Sequence, residues 1–180
     1  MTPILTGSTF DIISHSAKQT FGIGQRLGKL LVSSDVVCLQ GDLGTGKTCL
    51  TQGIGAGLNV DGIISSPTFA FVNEHPPLSA GPHLYHIDLY RIGGFAEALS
   101  LGLEDYLYGD GVTVIEWAER AAELLPPSAL WVKLEYVDYG KRSLLFESSS
   151  EHYVDIIAKL KEDIYGHSFE TRAEAPTPGE

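Results

Sequence analysis

Apolar residues recur along this chain at two spacings, and the switches between them mark out alternating strands and helices. Ser8 to Ile13 reads as an opening strand, followed by a helix. Ser16 and Gln19 have the spacing of a capping box, and Ala17, Thr20, Phe21, Gly24, Leu27 and Leu31 then return to one helical face. Of Gly22, Gly24 and Gly28, the third comes one place too late for a G-x-G-x-x-G fingerprint, and no strand leads directly into them, so they read as close helix packing. Val36-Val37-Cys38-Leu39 is a continuous apolar run, the pattern of a strand covered on both faces. Thr48 to Leu58 can then be helical, with Gly57 as its C-cap.

The rest of the chain keeps the alternation. Thr68 to Glu74 and His83 to Tyr90 read as two strands of a hairpin around the loop His75 to Pro82. Phe95 to Leu101 is a short helix, and Glu104 to Tyr108 a further helical turn. Val112 to Ile115 is a β-branched strand ending in Glu116-Trp117, and Ala118 to Leu125 is helical until Pro126-Pro127 stops it. Leu130, Val132, Leu134 and Tyr136 share one side of a strand over Ala129 to Val137, whose partner is Arg142 to Phe146. Ser148 and Glu151 suggest a second capping box, and Val154, Ile157, Ala158, Lys161 and Ile164 a helical face that packs on the domain. The predicted architecture is one α/β domain over residues 1–165, with a core at 8–146 and a C-terminal helix at about 149–165, then a disordered acidic tail at 166–180.

Composition narrows the setting. No run of about 18 apolar residues exists, so no membrane span is expected, and Met1 to Leu5 lacks the pattern of a signal peptide. Two internal cysteines, Cys38 and Cys49, point with this to a reducing cytoplasm. The net charge of −11 argues against direct grip on a nucleic acid. The excess is uneven: residues 147–180 alone contribute −5 of it.

The chemistry centres on Gly41-Asp42-Leu43-Gly44-Thr45-Gly46-Lys47-Thr48, which fits G-x-x-x-x-G-K-[ST]. That pattern describes a P-loop. Its amides wrap phosphates, Lys47 would reach the β- and γ-phosphates, and the Thr48 hydroxyl would sit on Mg2+. A buried strand precedes it and a helix follows, as the loop requires. In an open α/β sheet, ligands lie beyond the carboxyl ends of parallel strands, so Glu116 would face the nucleotide and hold Mg2+ or orient water. Its bland alternative is a solvated strand-end glutamate. Asp88 would join the metal shell or act on water, or else pair with Arg91 on the surface. Thr68, in Ser65-Ser66-Pro67-Thr68, offers a hydroxyl near the γ-phosphate, and Trp117 either borders the site or fills core.

Taken in order, the P-loop, Ser66-Pro67-Thr68-Phe69, His86-x-Asp88-Leu89-Tyr90-Arg91 and Glu116-Trp117-x-Glu119 resemble the TsaE (YjeE) family over about residues 8–146. These are bacterial ATPases of tRNA threonylcarbamoyladenosine biosynthesis. The resemblance implies a P-loop NTPase fold, α/β with a mixed parallel/antiparallel sheet flanked by helices, and a site for ATP and Mg2+. It implies partnership with TsaD and TsaB, which transfer threonylcarbamoyl to adenosine 37 of tRNA, so that tRNA is met only through them. It implies roles for Lys47 on phosphates, Thr48 on Mg2+, Thr68 as a switch, Asp88 in hydrolysis or the metal shell, and Glu116 on metal or water. No arginine is obviously placed as a finger, Arg91 being a candidate that could equally pair with an acid, so hydrolysis by the chain alone is expected to be slow. A small-metabolite kinase and a nucleotide-gated binding module are the competing readings. The kinase is disfavoured because residues 92–111 contain no lysine or arginine for a lid.

Overall fold

The apolar run at Val36–Leu39 lies at the centre of a seven-stranded sheet. The computed structural model describes residues 8–67 and 70–170, with side chains through Gly166. Its elements are β1 (Ser8–Ser14), α1 (Ala17–Leu30), β2 (Val36–Gln40), α2 (Lys47–Leu58), β3 (Val72–His75), β4 (Leu84–Asp88), α3 (Phe95–Leu99), α4 (Glu104–Leu107), β5 (Val112–Glu116), β6 (Leu130–Asp138), β7 (Lys141–Ser148) and α5 (Glu151–Glu170). A 3-10 segment spans Ala118–Leu124 between β5 and β6. The strand order is β1-β7-β6-β2-β5-β4-β3. β2 runs parallel to β5 and β6, and β4 parallel to β5, while β1, β7 and β3 pair antiparallel. The sheet is therefore mixed, as expected.

Side chains alternate along a strand, which explains the continuous run. Val37 and Leu39 enter the core shared with α1, α2 and α5, while Val36 and Cys38 enter the core under α3, α4 and the 3-10 segment. No described helix is long and apolar enough to cross a membrane.

The predicted glycine packing is found, with a wider cast. A Cβ at Gly24 would run into the Leu50 carbonyl oxygen, and one at Gly28 into that of Ile54. In return, Gly53 lies against the Phe21 carbonyl and Gly57 against that of Gln25. α1 and α2 thus meet backbone to backbone. Gly22 is not part of this contact, its nearest neighbour being Arg26 Nη1 at 3.7 Å. Gly57 is consequently a packing residue and not the C-cap; Asn59, with φ 56°, ends α2.

Several boundaries differ from expectation for identifiable reasons. β3 begins at Val72, because its partner β4 ends at Asp88 and Val72 already pairs with Ile87. The Ser16 cap holds, with Gln19 N donating to Ser16 Oγ at 3.1 Å, but Ala17 is exposed. The helix after Trp117 is 3-10, broken at Ala121. Tyr136 shares the side of Leu134, yet it is exposed because β6 outruns the sheet there. The second capping box does not form: Glu151 is the first residue of α5, and Ser148 Oγ accepts from Ser150 N instead. The buried face of α5 is Tyr153, Ile156, Ile157 and Leu160, rotated from the predicted one, and Ala158 and Lys161 are exposed. Tyr153 sets that rotation, since its hydroxyl accepts from Val36 N at 2.7 Å. α5 continues to Glu170, past the expected end at 165; the remainder of the predicted tail, 171–180, lies outside the described residues.

Gly28→Ala should lower stability by about 1–3 kcal/mol, because a methyl forced into a closed backbone contact must push two helices apart. For a chain of this size that is several degrees of melting temperature. Gly22→Ala should melt at or above wild type, gaining helix propensity in open space. Equal melting of all three proteins would mean that the helices do not need this approach.

Candidate functional site

The loop between β2 and α2 is shaped by two glycines above all. Gly41, at φ 153°, sits where a Cβ would strike the Leu134 carbonyl of β6, and Gly46, at φ 101°, forms the left-handed N-cap of α2. Thr45 closes the loop internally, its N and Oγ1 donating to Asp42 O at 3.3 and 2.8 Å. Lys47 Nζ donates to Gly41 O at 2.5 Å and Asp42 O at 2.8 Å, and lies 4.1 Å from the centre of the Trp117 ring. Lys47 is only 5% exposed. Burial pulls its pKa below the ordinary lysine value, against the pull of Glu116 first and then Glu119 and Asp88. The Leu43 side chain stands in solvent at the crown of the loop, and Gly44 O accepts from Arg142 Nη2 at 3.3 Å. The free amides at the start of α2 add partial positive charge to this concavity.

Sheet register then delivers the carboxylates. Leu39 pairs with Glu116, and Glu116 with Asp88, so both acids stand in one row at the carboxyl ends of parallel strands. Glu116 is buried, and three donors hold it. Thr48 Oγ1 reaches Oε2 at 2.9 Å and His86 Nε2 reaches Oε1 at 2.8 Å, while Thr51 Oγ1 shares its one proton between Lys47 O at 3.0 Å and Oε1 at 3.3 Å. Among the described residues His86 Nδ1 has no hydrogen-bond partner, so the tautomer with its proton on Nε2 satisfies the carboxylate. Asp88 accepts from the Ser66 hydroxyl through Oδ2 and from Tyr90 N through Oδ1 at 2.8 Å. A cleft of about 350 Å³ opens between Gly44, Lys47, Thr48, Ser66, Asp88 and Glu116.

Lys47, Thr48, Asp88, Glu116 and Trp117 are therefore brought together with the glycine loop. Trp117 borders the cleft and also packs on the second core, taking φ 58° to turn away from β5. Thr68 lies outside the described residues. Sequence reasoning missed the groups that hold the acids: Ser66 on Asp88, and Thr51 and His86 on Glu116. The signal for Thr51 was its place one helical turn beyond Thr48, and for His86 its place two residues before Asp88.

A family model described as "Threonylcarbamoyl adenosine biosynthesis protein TsaE" matches residues 14–144. The tRNA threonylcarbamoyladenosine biosynthesis protein TsaE of Treponema pallidum is 38% identical over 133 residues, 73% of this chain and 96% of its own. The chain belongs to the TsaE family. The Streptomyces coelicolor TsaE is 46% identical over 114 residues, 63% of this chain and 76% of its own. Among solved structures, Bacillus subtilis YdiB superposes with a TM-score of 0.75 at 28% identity, covering 88% of this chain and 98% of its own. The fold is that of a P-loop NTPase. The TsaE match ends in β7, so α5 lies beyond it.

One further acid of the TsaE-like motifs has an unusual setting. Glu119 Oε2 is buried with no hydrogen-bond partner among the described residues. Burial raises its pKa above the ordinary 4.5, with its own backbone N–H, Lys47 and Arg120 opposing. A carboxyl whose folded pKa is raised binds more protons folded than unfolded, so it lowers stability as pH climbs through the folded value. Glu119→Gln should therefore melt above wild type at neutral pH. The difference should shrink as pH falls through the raised value and vanish below about 4.5. Melting curves across a pH series check this, and a gap that does not change with pH contradicts it.

Proposed function

We propose that this chain binds ATP with Mg2+ and hydrolyses it slowly, as the ATPase partner of TsaD and TsaB in tRNA threonylcarbamoyladenosine biosynthesis. The observation that carries the reading is the contact of Thr48 Oγ1 with Glu116 Oε2, where the first turn of α2 meets the end of β5. It joins the loop's terminal hydroxyl to a carboxylate, the hard-oxygen donor pair that suits Mg2+. Asp88, in register beside Glu116, adds a further oxygen to the same mouth. The metal, when bound, supplies charge neutralisation on the phosphates and a fixed link between them and the protein.

The chain's own groups do the rest. The amides of Gly44, Gly46, Lys47 and Thr48 and the dipole of α2 receive phosphate oxygens. Lys47 moves its ammonium from the carbonyls of Gly41 and Asp42 to the phosphates, and gains there the counter-charge that burial withholds. Thr51 and His86 hold the Glu116 carboxylate in place through their contacts to Oε1. Asp88, steadied by Ser66, is placed to orient the attacking water. Arg120 and Arg142 donate to main-chain carbonyls of Ile92 and Gly44. Transition-state charge is then left to a partner, as with GTPases that take an arginine in trans. The acidic surface fits a protein that meets tRNA through its partners in the cytoplasm.

ATP turnover should be slow for the chain alone and faster with a TsaB–TsaD pair, releasing free phosphate. Lys47→Ala should abolish it in both settings. Glu116→Gln should lower it by about 10²–10³-fold, the scale seen when one oriented electrostatic group is lost. Faster turnover by the isolated chain than by the assembly, or a phosphorylated small acceptor as product, would replace this reading.

A further inference from the structure

The cleft has two chemically different sides. Toward β5 and β4 lie Glu116, Asp88 and Ser66, the oxygen-rich side suited to the cation and the terminal phosphate. Lys47, whose ammonium serves the β- and γ-phosphates in such loops, stands over Trp117 on this side. The Trp117–Tyr90–Arg120 cluster, with ring centres of Trp117 and Tyr90 5.0 Å apart, therefore belongs to the phosphate end.

On the other side of β2, the β6–β7 hairpin rises past the loop. Pairing of β2 with β6 stops at Gln40 and Lys133, while β6 and β7 stay paired out to Asp138 and Lys141. Tyr136 and Arg142 are register partners in this overhang, so they face the same way. That way is the α2 side, since Leu134, two residues earlier on β6, lies in the core beneath α1 and α2. The Arg142 guanidinium stacks 4.8 Å from the Tyr136 ring centre. It is pinned by donating to Gly44 O at 3.3 Å and Lys141 O at 2.9 Å. Tyr136 is 62% exposed and Leu43, on the loop beside Gly44, 75%. A phenol ring and a fixed guanidinium plane, wired to the phosphate loop and open to solvent, have the chemistry of a stacking platform for a nucleobase.

We propose that the Tyr136–Arg142 pair is the platform on which the base of the bound nucleotide stacks, the nucleoside leaving the loop across Gly44. This rests on the nucleotide reading above. It assigns base binding to a hairpin outside the loop and its acidic partners. It also gives Arg142 two tasks, bracing the loop through Gly44 and meeting the base.

Calorimetric titration of the full chain with MgATP and with magnesium tripolyphosphate separates the two ends of the site. Tyr136→Ala should weaken ATP by about tenfold or more, the usual loss when one base loses its aromatic partner, and leave tripolyphosphate binding unchanged. Tyr136→Phe should retain wild-type affinity for both. ATP binding by Tyr136→Ala equal to wild type, or equal losses for both ligands, would overturn the platform while leaving the phosphate site standing. A wild-type chain that bound neither ligand would overturn the nucleotide reading and the platform together.

Discussion

The buried carboxylate of Glu116 is the joint on which this structure turns. It ends the strand beside β2, and its two oxygens take bonds from the first two turns of α2 and from β4. A charge with 2% exposure is tolerable only when its acceptor sites are filled. Thr48 and His86, with a share of the Thr51 hydroxyl, supply donors to them. The same bonds fix how far α2 stands from the sheet, and hence the width of the loop mouth. Structure and chemistry thus draw on one group, and neither can be varied alone.

The other constraint on α2 comes from its far side. Four glycines, two on α1 and two on α2, remove the side chains that would hold the helices apart. α2 is therefore clamped between a neighbouring backbone and a buried acid. Small residues there cost helix propensity, and the return is a helix whose first turn cannot drift from the phosphate loop. The apolar run of β2 anchors the other end of the loop, its alternating side chains committed to cores on both faces.

How far these arrangements could be read from sequence follows the range of the interactions involved. The glycine loop, the apolar strand before it and the acid ending β5 are local patterns, so their positions were legible. The P-loop fold and its mixed sheet came from four motifs taken together, not from periodicity. What failed was set by distant partners. The face of α5 depends on a tyrosine hydroxyl bonding to Val36, and the end of α2 on an asparagine able to turn left-handed where Gly57 was already used in packing. Arg142 reaches Gly44 across a sequence separation of 98, a contact that no spacing rule announces. Thr51 and His86 show the middle case. Their places were visible and their shared acceptor was not, because it required the register of three strands.

α5 adds a last point. It lies outside the span matched by the TsaE family model, yet it is bolted to the foot of β2. Tyr153 accepts the Val36 N–H, and His152 meets the Asp35 carboxylate at 2.7 Å. Trimming the chain to the span of the family model would strip a buried amide of its acceptor and open the underside of the first core. α5 is thus a keel for the sheet, and its sequence is tied to two positions at the foot of β2.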